Sequence, residues 1–385
     1  MLLLALAGCV TSLPRRPPPP TGDPIVDGNA ALETSPPKDR VLWDDRIAAS
    51  ALRVGRYGEA RVKLDDSIAQ IGGILGDSES ARRARGVFHA ESEKIFVGEP
   101  YERVMAYYYR GILYWRDGEP DNARACFRSA ALASSLADDR PVPETYVLLD
   151  YLDGYASVKL GGDGADAFRR AQANAGNRPL PAYDARANVL VFAEFGQGPQ
   201  KYASGRYGEK LRFLVADSRV HDARLTVEGR VVQLPAYDDL DYQAITRGGR
   251  VMDYILERKA VFKTVAGSAG DLALAGSAAA ATRIYSENGR RSEGAEITAG
   301  ALAAVGAVGE LVSAATVARA DTRCWNNLPQ RLSFSSLSLP PGNHSLTLEF
   351  LDAQGLVCRE LTRELTLHID PGAPDTVLFL SELNR

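Results

Sequence analysis

The chain reads as an α+β protein, with an N-terminal all-α helical-repeat domain followed by a β-rich, sandwich-like domain carrying a Gly/Ala-rich helical insertion. Three observations predict it. From Val41 to about Ala175 apolar residues recur at helical spacing and are punctuated by glycine. After Pro179-Leu180-Pro181 the period drops to two, and between two groups of alternating segments lies a stretch, 250–319, dominated by Gly and Ala. At 385 residues, 45% hydrophobic and 24% charged, the chain can bury cores for two globular domains of ordinary size. The formal net charge is -4 and no dense Lys/Arg patch is interleaved with aromatics, which argues against a nucleic-acid partner.

The N-terminus has its own logic. Leu6-Ala7-Gly8-Cys9 closes a short apolar run, and this ending resembles a bacterial lipoprotein signal. The resemblance implies removal of residues 1–8 and acylation of Cys9, so that acyl chains hold the protein to a membrane without a spanning helix. Met1-Leu2-Leu3-Leu4-Ala5 has no basic residue and is short for a secretory signal, which points to a start upstream. Residues 9–40 follow as a Pro-rich, disordered linker. Arg15-Arg16-Pro17-Pro18-Pro19-Pro20 and Ser35-Pro36-Pro37 favour extended polyproline geometry over a packed core. In enterobacterial lipoproteins an Asp after the lipidated Cys retains the protein at the inner membrane. Here that position is Val10, so the resemblance implies the outer membrane and a periplasm-facing body.

The helical domain spans 41–180. Its clearest unit runs from Tyr107 to Ala130: Gly111 is small, Tyr114 is bulky, Gly118 makes a turn, and Ala123, Phe127 and Ala130 lie at helical spacing. This unit resembles the tetratricopeptide repeat, in which the small residue lets two helices approach. An earlier copy keeps Gly55, Tyr57, Ala60 and Leu64. A later one, from Gly154 through Gly161 to Phe168 and Ala171, has a shortened turn. The turn glycines are wider apart than one repeat, so insertions intervene, among them a charged helix from Ser78 to Lys94. Tyr107-Tyr108-Tyr109 and Trp115 suit inter-helix packing. Three consecutive helical residues span too wide an arc for all to face inward, which leaves a tyrosine for a groove. The expected partner-binding residues are therefore Tyr108, Tyr109, Arg110 and Tyr114, with other cell-envelope proteins as partners.

The β-rich domain spans 186–385. Strands are expected at Asn188–Phe195, Lys210–Val215, Ala223–Gly229, Arg331–Leu339, Ser345–Phe350, Leu361–Ile369 and Thr376–Leu380, with Pro340-Pro341-Gly342 as a turn. The stretch from Leu337 to Leu348 is similar to an edge found in envelope β-sandwich modules. The insert reads as two helices with small faces, packed as a pair over the sheet or, alternatively, inserted in a membrane. Glu310 and Asp271 weigh against insertion.

No catalytic or metal-binding constellation emerges, and no cofactor is expected. The four histidines are His89, His221, His344 and His368, and none has a partner at metal-ligand spacing. Gly205 to Glu209 has glycines but no phosphate-loop Lys-Ser/Thr. Tyr237 to Tyr242 lacks calcium-loop spacing, so a solvated loop is expected there. Glu99-Pro100 reads as a helix start. Cys126 suits a helical core; Cys324 and Cys358 are either a disulfide or two buried thiols.

The lipoprotein signal, Val97 to Arg103, the repeat unit, Phe195 to Lys201 and Ala320 to Pro329 occur in an order that resembles a family of uncharacterised tetratricopeptide-containing lipoproteins of Gram-negative bacteria. Some members are encoded near a lipoprotein activator of penicillin-binding proteins, which implies a role in envelope or peptidoglycan assembly. The expected function is that of a lipid-anchored, non-enzymatic scaffold. The alternatives are a glycan-acting enzyme using acids such as Glu194 and Asp217, which would have to face each other across a cleft, and a pore or export component using the Gly/Ala-rich helices.

Overall fold

A computed structural model describes residues 19–76, 94–135, 146–206, 208–248, 319–372 and 375–383. Cys9, the charged segment after Ser78 and the Gly/Ala-rich insert up to residue 318 lie outside the described residues. The described chain is mixed α+β, with seven α-helices and one short 3-10 helix (Pro37–Asp39) before residue 176 and the sheets after residue 188.

Part of the expected linker is helical. Helix α1 (Pro24–Thr34) starts where the Asp23 carboxylate accepts from the backbone N–H groups of Ile25 and Val26, with proline at the permitted first position. Ile25 is buried, and a Cβ on Gly28 would lie 2.7 Å from Ile47. The extended leash expected across 9–40 is corrected here: an N-cap and one apolar face are enough to dock a helix despite the flanking prolines.

Six further helices form three hairpins: α2 (Arg40–Arg53) with α3 (Tyr57–Gly76), α4 (Pro100–Arg116) with α5 (Pro120–Ser135), and α6 (Val147–Lys159) with α7 (Ala165–Ala175). All three turns are built alike. Gly55, Gly118 and Gly161 have φ of 78°, 82° and 87°. The amide after each glycine returns to a carbonyl five residues back, as Arg56 to Ala51, Glu119 to Tyr114 and Gly162 to Ser157, at 2.8, 2.9 and 2.8 Å. This C-terminal cap needs a left-handed residue, which glycine adopts without the Cβ penalty. Seven residues before each turn glycine stand Ala48, Gly111 and Gly154, where the paired helix packs closest. A Cβ on Gly111 would lie 2.7 Å from the Phe127 ring, and one on Gly154 would lie 3.0 Å from Phe168.

That notch gives a paired test. Gly111→Ala should lose about 1–3 kcal/mol by overpacking against a fully buried ring, despite its better helix propensity. Gly58→Ala, with open space around its Cβ, should gain about 0.5–1 kcal/mol. Urea midpoints of the two variants should move in opposite directions; a shared direction would show that the notch is not tight.

The first sheet has the order β10-β1-β7-β6 (Thr376–Ser381, Val189–Gln197, Pro329–Leu337 and Asp238–Asp239), with β1 parallel to β10 and antiparallel to β7. The second is antiparallel, in the order β5-β4-β8-β9 (Arg230–Leu234, Asp222–Val227, Gly342–Leu351 and Arg363–Ile369). A hairpin of β2 (Gln200–Ser204) and β3 (Lys210–Leu214) stands apart, and a short helix α8 (Leu240–Arg247) follows β6. Strand β1 explains its own apolar run, since both of its faces are covered. Leu190 and Phe192 join the helical core, together with Leu332 and Phe334 of β7. Val189, Val191, Ala193 and Phe195 join the core that the second sheet builds with Leu225, Leu348 and Phe350.

The helices therefore share a core with the first sheet across the expected boundary at 180–186. Rings from α4 and α6 meet rings from the sheet: Tyr108 with Phe192, Tyr109 with Phe379, and Tyr151 and Tyr155 with Phe334. Two ties reinforce the join, since Trp115 Nε1 donates to Asp375 at 2.9 Å and Lys159 Nζ donates to it at 2.6 Å. The solvated loop expected at Tyr237 to Tyr242 is also corrected. Asp238, Leu240 and Asp241 are buried; Asp239 caps α8, and Asp238 accepts from the first amides of α6. Cys324 and Cys358 are free, buried thiols, so the disulfide alternative fails.

Candidate functional site

The inward face of the helical hairpins meets the sheet around one buried ionic cluster. Glu194 interrupts an otherwise apolar strand and is 1% exposed. Its carboxylate accepts from Arg53 Nε at 2.6 Å, Ser381 Oγ at 2.7 Å and Tyr109 OH at 2.5 Å. Arg53, the last residue of α2, also donates from Nη2 to Tyr109 OH at 3.5 Å. Burial alone would lower the Arg53 pKa, but Glu194 and Tyr109 outweigh it and raise it, so the guanidinium stays charged. Burial, with Glu194 alongside, pushes the Tyr109 hydroxyl well above its ordinary range and keeps it a neutral donor.

Above this cluster opens a cleft of about 400 Å³. Its walls come from four places: Gly196 and Gln197 at the end of β1, Ala216 to Arg219 before β4, Asn326 to Leu328 before β7, and Glu382 and Leu383 after β10. Arg53 lines it as well, with only 5% of its side chain exposed. The Nη1 of Arg53 has no partner among the described residues and is the part of the guanidinium left to the cleft. The backbone amides at the end of β1 are already used. Gly196 donates to Glu382 Oε2 at 2.7 Å, Gln197 to Ser218 Oγ at 2.9 Å, and Gly198 to the Leu328 carbonyl at 2.9 Å. Arg219 is exposed and pairs with Glu360, whereas Asp217 is exposed with no partner among the described residues.

The sequence-based site is scattered by the fold. Tyr108 is buried between Phe127 and Phe192, and Tyr109 sits in the ionic cluster. Arg110 is 4% exposed, bonded to Asp65 at 2.6 Å and stacked 3.5 Å over the half-buried Tyr114 ring. The expectation that Tyr108, Tyr109 and Arg110 line an open groove is therefore corrected: the protein's own sheet covers Tyr108 and Tyr109, because the apolar face of β1 needs cover as much as the helices do, and Arg110 is taken up by Asp65 of α3. Tyr114 alone of the four stays partly exposed. Glu194 and Asp217 do not form a facing pair of acids, since three donors enclose Glu194. Sequence reasoning missed Arg53 and the cleft. The available signal was a lone acid inside the apolar run Val189 to Phe195, which demands a buried cation somewhere in the fold.

A second buried pair supports the same wall. Glu102 accepts from Lys201 Nζ at 2.5 Å, Trp325 N at 2.8 Å and Glu99 N at 2.6 Å, the last within a capping box at the start of α4. It ties the segment before β7 to helix α4 and so holds Asn326 and Asn327 in place. Asn327 Nδ2 donates to the Arg46 carbonyl and Ser50 Oγ at 3.0 and 3.1 Å. Among the described residues no group of three potential metal ligands occurs.

Burial pushes Asp238 and Asp241 up to about 7. Both folded-state values lie above the ordinary 3.8, so the folded protein keeps protons that the unfolded chain has released. Their stabilising contribution is full below the unfolded value and disappears as pH rises through about 7. Stability should fall with rising pH between about 4 and 7, by roughly 1.4 kcal/mol per pH unit for each proton held. Asp238→Asn should remove its own share of that slope, roughly 1.4 kcal/mol per pH unit, in urea titrations; an unchanged slope would show that Asp238 is ionised throughout.

The fold and site define an α+β protein in which helical hairpins and two sheets enclose a buried ion pair beneath a polar cleft. No family model, curated protein or solved structure matches this chain.

Proposed function

We propose that the protein is a lipid-anchored cell-envelope scaffold, held through Cys9 and binding partner proteins in envelope or peptidoglycan assembly. The three hairpins, with identical glycine caps and the Gly111 and Gly154 notches, support a tetratricopeptide-like array. The two sheets packed over Val191, Phe195, Leu225 and Phe350 support a sandwich-like second half. One observation carries the functional reading: the array's inner face holds its own sheet, and among the described residues a polar cleft above Arg53 is left open beside it. That makes the helices a support for a binding surface, with the partner taken at the cleft rather than along the tyrosines.

The test is photo-crosslinking in cells from an unnatural residue at Asp217, on the cleft rim, with Val62 on the exposed face of α3 as a control. The expected result is a discrete adduct with an envelope protein from position 217 only. Equal adducts from both positions, or none from 217, would reject partner binding at this surface. Mass spectrometry of the N-terminal fragment tests the anchor separately, since an unmodified Cys9 thiol in protein from its native host rejects tethering.

A further inference from the structure

We propose that the cleft receives the free carboxyl end of a peptide chain, with the terminal carboxylate on Arg53 Nη1 and a positive charge within two residues of it facing Asp217 and Glu382. This rests on the reading of the protein as a binding module and names what it binds. Arg53 is more than nine-tenths buried and locked on two sides by Glu194 and Tyr109. Its remaining edge is a fixed donor pair whose desolvation and ordering were met on folding. Such an edge matches a carboxylate in charge and in planar geometry.

The rest of the lining narrows the ligand. Of its four charged groups, Arg53 and Arg219 are already paired with Glu194 and Glu360, so the cleft offers a ligand the free Nη1 donor of Arg53 and the two carboxylates of Asp217 and Glu382. A phosphate dianion fits poorly. It needs several N–H donors, yet the amides of Gly196, Gln197 and Gly198 are already bonded to Glu382, Ser218 and Leu328, and it carries no cation to offset Asp217 and Glu382. A neutral sugar would find no aromatic platform, since the lining contains no Phe, Tyr or Trp. A chain end with a carboxylate and a nearby ammonium or basic side chain meets the free Arg53 donor and both unpaired carboxylates, and about 400 Å³ admits two or three residues.

The test uses the full purified protein in equilibrium dialysis against three probes, read by mass spectrometry. The first is a random tripeptide library with free ends, the second the same library amidated at the carboxyl end, and the third an N-acetylated random decapeptide ending in Lys and one variable residue with a free carboxylate. The expected result is retention of the first library at least about tenfold above the second. Retention of the decapeptide as well assigns the ligand to a protein tail; its exclusion assigns it to short free peptides. Arg53→Lys, which keeps the charge opposite Glu194 but loses the second edge, should cut retention about tenfold. Ala216→Trp fills the cleft without touching the ionic cluster and should abolish retention with an unchanged melting temperature. Equal retention of free and amidated libraries, retention of neither, or full retention by Ala216→Trp overturns the proposal. A negative result with purified protein leaves the crosslinking and lipid tests of the scaffold reading untouched, so the two fail separately.

Discussion

Replacing Arg53 with methionine should cost about 3–5 kcal/mol of stability. The substitution leaves the Glu194 carboxylate, 1% exposed, without its cation and with only Tyr109 and Ser381 as donors. The double variant Arg53→Met with Glu194→Leu should recover most of the loss, because well-packed apolar side chains often replace a buried ion pair at little cost. Tyr109 and Ser381 would then lack their acceptor, so recovery stops short of complete. Urea unfolding at constant m reads the cycle. A loss below about 1 kcal/mol for Arg53→Met alone would mean that the cluster is hydrated, and the guanidinium edge assigned to the cleft would lose its rigidity.

The second large effect concerns cooperativity. A fragment ending at residue 180 should show no cooperative thermal transition, although it contains every helix of the three hairpins. The helical core takes Leu190, Phe192, Trp325, Leu332 and Phe334 from the second half of the chain. Without them Tyr108, Tyr109, Tyr151 and Tyr155 would face water, and each large aromatic contributes roughly 1.5–3 kcal/mol by burial. The full chain should accordingly lose near-ultraviolet and far-ultraviolet circular dichroism in one coincident transition. A sharp transition in the fragment would re-establish the helices as an independent domain and weaken the account of why the tyrosines are buried.

Much of the helical half was legible. Gly55, Gly118 and Gly161 marked the turns because a left-handed cap admits little else, and Gly111 with Phe127 marked a hairpin because only a bare Cα admits the ring. Strands β1, β4, β8 and β9 were readable from period two or from continuous apolar character. Helix α1 was masked by the prolines around it. Asp238 and Asp241 looked like solvated acids because their partners, the first amides of α6 and the burial around α8, are supplied by distant segments.

The candidate site was the least legible part. Arg53, Glu194, Asp217, Asn327 and Glu382 are spread over most of the chain, and no spacing rule links them. The tyrosines drew notice because aromatic clusters are conspicuous, yet helical periodicity reports that a face is apolar and says nothing of what covers it.

By itself the sequence determined the order of elements, the α+β class and the repeated glycine turns, since each follows from local backbone preference or from composition. Only the tertiary structure decided that the helices close over their own sheet, that Glu194 finds Arg53, and that a cleft remains where four loops meet. Those outcomes depend on contacts between residues far apart in the chain, 85 positions for Tyr109 with Glu194 and 141 for Arg53 with Glu194. They are selected by the burial of two apolar faces against each other, and no local pattern encodes that choice.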